Sequence, residues 1–350
     1  MATPPRRRVR AADVAAAAGV STTAVSFVLN GRDDGNISQS TKKRILDAAE
    51  LLGYKPHHVA QSLRSRTTHS IGLVTDAVAS SPFGGRILAA ATERAEAHGH
   101  VMLVMDLHSQ DTREPAAFRE LERRQVDALI YASMGFRVLD GIPDTHLPIV
   151  LANCTSYRDD ELSVYPDDAN GATQALEHLA DIGHRRITMV SGHWEPHSTG
   201  NKRGNISGPI RRDAFLHAAR QRGVEALVVE SGWEINDGYR AAMQAMDCPA
   251  DQRPTALFVV TDRAAMGAML AAAQLGLAVP DDVSIVGFDD QETVAAFTVP
   301  PLTTIALPHA KMGDQSVLLA LAAAAGEEIH QPRRALPCEL LIRESTAPPR

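Results

Sequence analysis

The run AADVAAAAGVSTTAVSFVLNG at residues 11–31, continued by ISQSTKKRILDAAELLGYKP (37–56) and HHVAQSLR (57–64), decides how the rest of the chain is read. Val14, Ala15 and Ala18 share one face of a short helix over 11–18. Gly19-Val20 makes the corner, because glycine supplies the backbone freedom that a sharp helix–helix turn needs. Ser21 is a good N-cap for a second helix running to about Leu29, its hydroxyl accepting an orphan backbone N–H. Val20, Val25 and Val28 point back onto the first helix. Thr22, Thr23, Ser26 and Phe27 are left on other faces. Ser38 caps a third helix from Gln39 to about Leu52, with Ile45, Ala48, Ala49 and Leu52 at helical spacing and Gly53 as its C-cap. A helix-turn-helix whose second helix keeps a face for something outside has the shape of a DNA reader. Three small helices forming a generic core is the plainer alternative.

Charge supports the DNA reading. Residues 1–68 carry eleven Lys/Arg and five Asp/Glu, a net of +6; the remainder carries 24 and 37, a net of −13, within a total of −7. A basic head on an acidic body suits phosphate binding by the head alone. Residues 1–8 are Pro- and Arg-rich and read as a disordered basic arm, either touching phosphates or simply solvated. Lys42, Lys43 and Arg44 lie on or near the exposed side of the third helix, facing either phosphate or water. Residues 57–64 have the length of one or two helical turns, with Val59, Ala60 and Leu63 on one side. A helix so short folds only against a partner, either a second copy of itself or a DNA groove.

At 350 residues the chain fits two or three domains, and 44% hydrophobic with 22% charged residues is ordinary for a globular protein. Cys154, Cys248 and Cys338 are far apart and in no metal-ligand or CxxC spacing, so they read as reduced structural thiols. The basic N-terminus is not followed by a continuous apolar run, which argues against a signal peptide. The longest apolar run, Val317–Ala325, is too short to cross a bilayer and reads as the buried face of a helix. A cytoplasmic location without metal or cofactor is the expectation.

From Ser70 short apolar runs alternate with helical stretches. Strands are expected at 71–76, 101–106, 127–133, 148–153, 186–191, 226–231, 256–262 and 284–290, and helices at about 84–98, 113–124, 169–182, 211–222, 236–247 and 263–275. Alternating β and α elements imply parallel sheets covered by helices, and two successive series imply two doubly wound subdomains. Ligands of such folds sit beyond the carboxyl ends of the strands. The polar residues there are Asp76, Asp106, Asn153, Asp262, Asp289 and Asp290.

At this point the chain resembles the LacI/GalR family of bacterial transcription repressors. The likeness is carried by DVA (13–15), AGVS (18–21), VS (25–26), LNG (29–31), LGYKP (52–56) and A-x-x-L (60–63). In the body it is carried by GHRRI (183–187), VPDDVSIVGFDD (279–290), PPLTTI (300–305), MG (312–313) and RES (343–345). The resemblance implies an all-α helix-turn-helix DNA-binding head (9–56), a hinge helix and linker (57–69), and an α/β sensor body of type I periplasmic-binding-protein-like fold (70–345), ending in a short tail (346–350). The body would divide into an N-subdomain of 70–168 plus 307–335 and a C-subdomain of 169–306 plus 336–345. A homodimer binding a double-stranded DNA operator and a sugar-like effector follows from the same resemblance. With no trailing leucine heptads, a tetramerisation helix is not expected.

The base-facing positions implied are Thr22, Thr23 and Phe27, with Ser21, Ser26 and Asn30 near phosphates. The family usually has Arg where this chain has Phe27. An Arg clamps guanine through two hydrogen bonds, whereas Phe makes only apolar contact, for example with a thymine methyl. In the hinge segment that starts at His57, small Ala60 permits close approach and Leu63 is the wedge that opens the central minor-groove step. The effector positions implied are Asp76, Phe83, Asn153, Arg211, Trp233, Thr261, Asp262 and Asp289, with Asp262 doubling as a helix N-cap. Their planar polar groups suit paired hydroxyls, and the aromatic rings suit the apolar face of a sugar. The polar stretch 193–208 is either a lid or a surface loop.

Two other classes are weighed against this. A solute-binding protein uses the same body but has no use for residues 10–64. An enzyme needs a catalytic constellation, and the sequence has no GxSxG, P-loop or metal spacing.

Overall fold

The computed structural model describes residues 9–29, 37–54, 67–79, 84–108, 111–139, 141, 144–156, 158, 160–192 and 205–350. The expected basic arm, Asn30, the 57–64 segment with His57, Ala60 and Leu63, Phe83, and most of the polar stretch (193–204) lie outside the described residues. The chain divides into two units, Met1–Thr68 and His69–Arg350.

In the first unit the described helices are α1 (Ala11–Ala18), α2 (Thr22–Leu29) and α3 (Gln39–Leu51). The carboxylate of Asp13 accepts the Arg10 N–H at 2.7 Å, occupying a donor that the start of a helix leaves without a partner. Gly19 takes a left-handed φ of 63°, and the Val20 N–H turns back to the Ala15 carbonyl at 3.0 Å. α2 then leaves at 103° to α1, within the range of a helix-turn-helix. Ser21 Oγ accepts the Ala24 N–H at 3.1 Å and Ser38 Oγ accepts that of Thr41 at 3.2 Å, so both serines cap as expected. Leu52 is the C-cap of α3, and Gly53 follows it at φ 62°.

Val14, Val25, Val28 and Ile45 form the centre of this unit, with Val20 packed at its margin. Ile45 is wholly buried. Ile45→Ala should cost about 2–5 kcal/mol, a large share of what so small a core supplies. Hydrogen-exchange protection of α1–α3 in the full chain should collapse while that of the body stays; unchanged protection of α1–α3 would contradict this account of the core.

The second unit begins with β1 (Ser70–Thr75), α4 (Gly85–Ala97), β2 (Val101–Asp106), α5 (Glu114–Arg123), β3 (Ala128–Leu139), β4 (Ile149–Ser156) and β5 (Leu162–Asp167). It continues with α6 (Asp168–Asp181), β6 (Arg186–Gly192), α7 (Ser207–Arg222), β7 (Glu225–Ser231), α8 (Ile235–Met246), β8 (Ala256–Val259), α9 (Asp262–Gln274), β9 (Ser284–Asp289) and β10 (Thr303–Ala306). Last come α10 (His309–Ala324), β11 (Arg333–Pro337) and β12 (Glu339–Leu341). Among the described residues these strands form two six-stranded sheets, ordered β11-β5-β4-β3-β1-β2 and β12-β10-β9-β8-β6-β7. Every pairing is parallel except β10 with β12.

Helices cover both faces of each sheet, so the inner strands are apolar throughout, as parallel strands must be. β9 is buried along its whole length, whereas the edge strands β2 and β7 leave Val101 and Leu227 exposed. At the crossing of α8 and α9 a Cβ on Gly238 would overlap the Ala264 carbonyl, and one on Gly267 would overlap that of Ile235. Only glycine lets the two backbones approach so closely.

The chain passes between the sheets three times: from β5 into α6, from β10 into α10, and at Cys338. The last passage was expected before residue 336. Leu336 and Pro337 still pair with Pro166 and Asp167 of β5, so it falls two residues later. α7 begins at Ser207, four residues before the expected 211. β3 was expected to end at 133. A register break between Ala132 and Arg137 carries it on to Leu139, beside Cys154–Ser156 of β4. The three cysteines are free thiols, Cys154 and Cys338 buried.

Candidate functional site: a cleft between two sheets

Beyond the carboxyl ends of both sets of strands lies a cavity of about 210 Å³. The first sheet contributes Met134–Arg137 from the β3 extension, Asn153 from β4 and Pro166 from β5. The second contributes Asn205, Ser207 and Arg211 around the start of α7, Trp233 after β7, Thr261 and Arg263 at α9, and Asp289 at the end of β9. The Ile206 N–H donates to the Phe136 carbonyl at 2.9 Å, and Asn205 pairs with Arg137 in an antiparallel bridge. The β3 extension is thereby tied to the other half of the body at the rim of the cavity.

Arg211 is the electrostatic centre. It is 3% exposed. Its Nε donates to Asp168 at 2.6 Å, Nη1 donates to the Val260 carbonyl at 2.6 Å, and Nη1 lies 3.5 Å from Asp289. The guanidinium also lies over the Phe288 ring at 3.6 Å, where the ring's negative face meets the cation. Burial pushes the Asp168 carboxyl above its usual range, and Arg211 opposes the shift. Burial pushes Asp289 up to about 7, with Arg211 pulling the other way. Asp289 and Asp290 both carry left-handed φ, 109° and 51°. Backbone held this way costs about 1–3 kcal/mol per residue. Here it turns the end of β9 at the cavity wall.

Five of the eight expected effector residues line this cavity: Asn153, Arg211, Trp233, Thr261 and Asp289. Asn153 Nδ2 donates to the Ser133 carbonyl at 3.0 Å, holding the β3 break. The Thr261 hydroxyl accepts the Ala264 N–H at 3.1 Å and donates to the Trp233 carbonyl at 3.0 Å. The residue where the family often has Asn therefore spends its polar group on capping α9 and fixing the tryptophan loop. The Trp233 ring packs edge-on against Gly192, whose added Cβ would come within 2.6 Å of it.

Asp76 and Asp262 are held differently. Asp76 does not line the cavity. It accepts the Met134 N–H at 2.9 Å, the Ala77 N–H at 2.7 Å and the Ser133 hydroxyl at 3.1 Å, with Arg137 Nε at 3.7 Å. It holds the β3 extension in place. Asp262 is wholly buried, accepting from Gln291 N–H at 2.7 Å and Thr304 Oγ1 at 2.5 Å. It pins the loop after β9, and Thr261, not Asp262, is the N-cap of α9. Burial and the neighbouring Asp289 drive the Asp262 carboxyl well above the usual range. Arg137, Asn205 and Arg263 line the cavity without having been anticipated. Arg263 had a sequence signal, two residues past Thr261 at a strand-to-helix junction, and Asn205 lies in the polar stretch 193–208; Arg137 had none.

In the first unit, Ser21, Thr22 and Thr23 are exposed, Ser26 is half-buried, and Phe27 is 40% exposed. Phe27 is thus on the outer side of α2, not in the core. Among the described residues no group of His, Cys, Asp and Glu has the arrangement of a metal site. No single helix among them is long and apolar enough to cross a membrane.

A helix-turn-helix unit followed by a two-sheet body with a polar cleft defines a DNA-binding regulator with a binding-protein-like body. Residues 11–57 match the family described as bacterial regulatory proteins, lacI family, and residues 176–346 match the periplasmic binding protein-like domain. The chain is 32% identical to the HTH-type transcriptional regulator DegA of Bacillus subtilis (strain 168) over 344 residues, 96% of this chain and 97% of DegA. It belongs to the LacI family. Its fold is that of the lac repressor dimer bound to operator and the anti-inducer ONPF, with a TM-score of 0.78 and 28% identity over 97% of this chain and 100% of that one. A transcriptional regulator CelR–cellobiose complex is also similar, with a TM-score of 0.66 and 25% identity over 97% and 100% of the two chains. The protein is a DNA-binding transcriptional repressor and not an enzyme.

Proposed function

We propose that this repressor acts in the cytoplasm as a dimer on a palindromic operator, and that a small sugar-like effector in the cleft controls it. The cleft carries the reading: a buried Arg–Asp cluster, Asn153 and Trp233 converge on one small cavity, the donor, acceptor and aromatic set that a polyol needs. The cellobiose held by the similar CelR is of this chemistry. A dimer is supported by the lac repressor dimer and by exposed Leu227, Met266 and Leu270 on the second half of the body. In this reading Thr22, Thr23 and Phe27 meet base edges, and Ser21, Ser26 and Asn30 lie near phosphates. His57, Ala60 and Leu63 belong to a hinge that enters the minor groove. Effector binding favours one of two forms, DNA-competent or incompetent, by its differential affinity.

Selection of binding sites from random DNA tests the operator half of the proposal. The full chain should enrich a palindrome, with affinity falling steeply as salt rises. Phe27→Arg should change the preferred base at one position of each half-site and favour guanine there, a discrimination of about 1–3 kcal/mol. Enrichment of the same sequence by both proteins would remove Phe27 from the readout. Absence of any enriched palindrome would overturn the dimeric operator reading.

A further inference from the structure

We propose that Arg263 is a specificity-determining residue of the cleft: together with Asp289 it reads one hydroxyl group of the effector, Arg263 Nε donating to the hydroxyl oxygen while Asp289 engages the same group. This deepens the proposed function and rests on the cleft being the effector site. Both side chains line the cavity. Arg263 stands in the first turn of α9, which follows β8, and Asp289 is the last residue of β9. β8 and β9 are neighbours in the second sheet.

Nothing in the fold itself asks for a cation at this position. A positive charge in the first turn of a helix works against the helix dipole. Arg263 Nη2 reaches Glu234 at 3.0 Å, but that carboxylate is 59% exposed, and a pair so open to water is weak. At the other end of the guanidinium, Nε is buried and has no hydrogen-bond partner among the described residues. A buried donor without an acceptor is costly, and a ligand oxygen supplies one. The side chain is also held in place. The Thr261 hydroxyl donates to the Trp233 carbonyl at 3.0 Å, and Arg263 pairs with Glu234, the next residue. These two links fix the first turn of α9 to the loop that carries Trp233, so little freedom is left to lose when a ligand binds.

Asp289 complements this donor. Its ion partner is Arg211 at 3.5 Å, and it accepts from Gln291 Nε2 at 3.3 Å. Both contacts are long, and a carboxylate has further lone pairs to offer. Burial dominates the state of this carboxyl, and Arg263 is among the charges that act on it, so the two groups lie within one another's field. A guanidinium only donates, whereas a carboxyl accepts when ionised and donates when protonated. A hydroxyl, which accepts and donates at once, satisfies both neighbours in either state. An ether oxygen would serve Arg263 and leave an ionised Asp289 without a donor; an ammonium would serve Asp289 and repel Arg263. Asn153, Asn205, Ser207 and Trp233 remain for the rest of the ligand. A volume of about 210 Å³ is small beside the ~300–1,000 Å³ of drug-sized ligand sites, which points to a ligand near the size of one sugar ring.

The test is a titration of the full chain with hexoses, pentoses and cellobiose, followed by the monodeoxy analogues of the tightest binder. Trp233 fluorescence in a Trp194→Phe background reads binding, and the thermal midpoint without sugar shows that each variant is folded. In wild type, removal of one particular hydroxyl should weaken binding about 10-fold or more, the worth of a hydrogen bond to a charged group. Arg263→Met should weaken the parent sugar by a similar factor and erase most of that deoxy penalty, because groups in direct contact are not additive. Arg263→Lys should recover part of both, and it carries the comparison if Arg263→Met does not fold. Asp289→Asn should reduce the penalty at the same hydroxyl; a reduction at a different one would overturn the shared reading. Equal deoxy penalties in wild type and the Arg263 variants would overturn the role of Arg263 while keeping the cleft as the sugar site. No binding by any sugar would overturn this inference and the sugar-like effector together.

Discussion

Arg211→Met should lower the stability of the body by about 3–5 kcal/mol, because it strips the counter-charge from buried carboxylates. Asp168 and Asp289 both face this guanidinium, and Asp168 is 1% exposed. Neither carboxylate can turn to water. The second substitution that separates charge from packing is Asp168→Asn. In the Arg211→Met/Asp168→Asn double variant one stranded charge is gone, and a substantial part of the loss should return, as expected for residues in direct contact. Denaturant unfolding of the full chain, followed by the body's circular dichroism, measures both. Additive losses in the double variant would show that the pair is not coupled, and the role assigned to Arg211 as the hub of the cleft would fail.

Removing either of two buried titratable groups should change how stability depends on pH, in opposite directions. Burial raises Asp289 from 3.8 to about 7. The folded state therefore holds this proton more tightly than the unfolded chain. Its contribution is fully present below about pH 4 and is lost as pH rises through about 7. Burial, with Arg86 and Arg211 adding to it, lowers His309 from 6.5 to about 3. Here the unfolded chain binds the proton more tightly, so the contribution is present above about pH 6.5 and is lost as pH falls through about 3. Between about pH 4 and 6.5 the two slopes oppose, each up to about 1.4 kcal/mol per pH unit. Asp262, also shifted upward by burial, works in the direction of Asp289. His309→Asn should make the body lose stability as pH rises across this window. Asp289→Asn should make its profile more positive than that of wild type. Urea unfolding across the window is the measurement, and three parallel profiles would refute the linkage.

Much of this architecture is legible in the amino-acid order because the physics is local. Gly19, Ser21 and the valine spacing specify the helix-turn-helix within two dozen residues. β1, β6 and β9 announce themselves as apolar runs, since a strand covered on both faces has no polar side to show. Four strands were not expected: β5, whose run contains Ser163 and Pro166, β10, which is four residues long, and β11 and β12. β11 begins with two arginines and alternates exposed with half-buried positions at a sheet edge, and β12 is three residues long. In the cleft, Asn153, Arg211 and Asp289 are marked by strand ends and by family resemblance. Asp76 and Asp262 carry the same marks, yet each faces a loop that it holds. A carboxylate at a strand end looks identical in sequence whether it awaits a ligand or a backbone N–H. Arg137 and Asn205 come to the cavity only through the break in β3 and the bridge it makes, and no periodicity encodes either.

The three passages of the chain between the sheets also bear on how the protein is made. The first half of the body is finished by α10, which packs on α4, and by β11, which pairs with β5. Both are encoded after residue 308, behind nearly all of the second half. A nascent chain leaving the ribosome can therefore assemble β1–β5 early but cannot cover the open side of β5 until translation is almost over. Most chains complete their domains in order from the N-terminus. This one must carry an unpaired strand edge, the feature by which sheets find wrong partners, through the synthesis of more than a hundred further residues. The demand falls on the quality-control machinery of the cell rather than on the finished repressor.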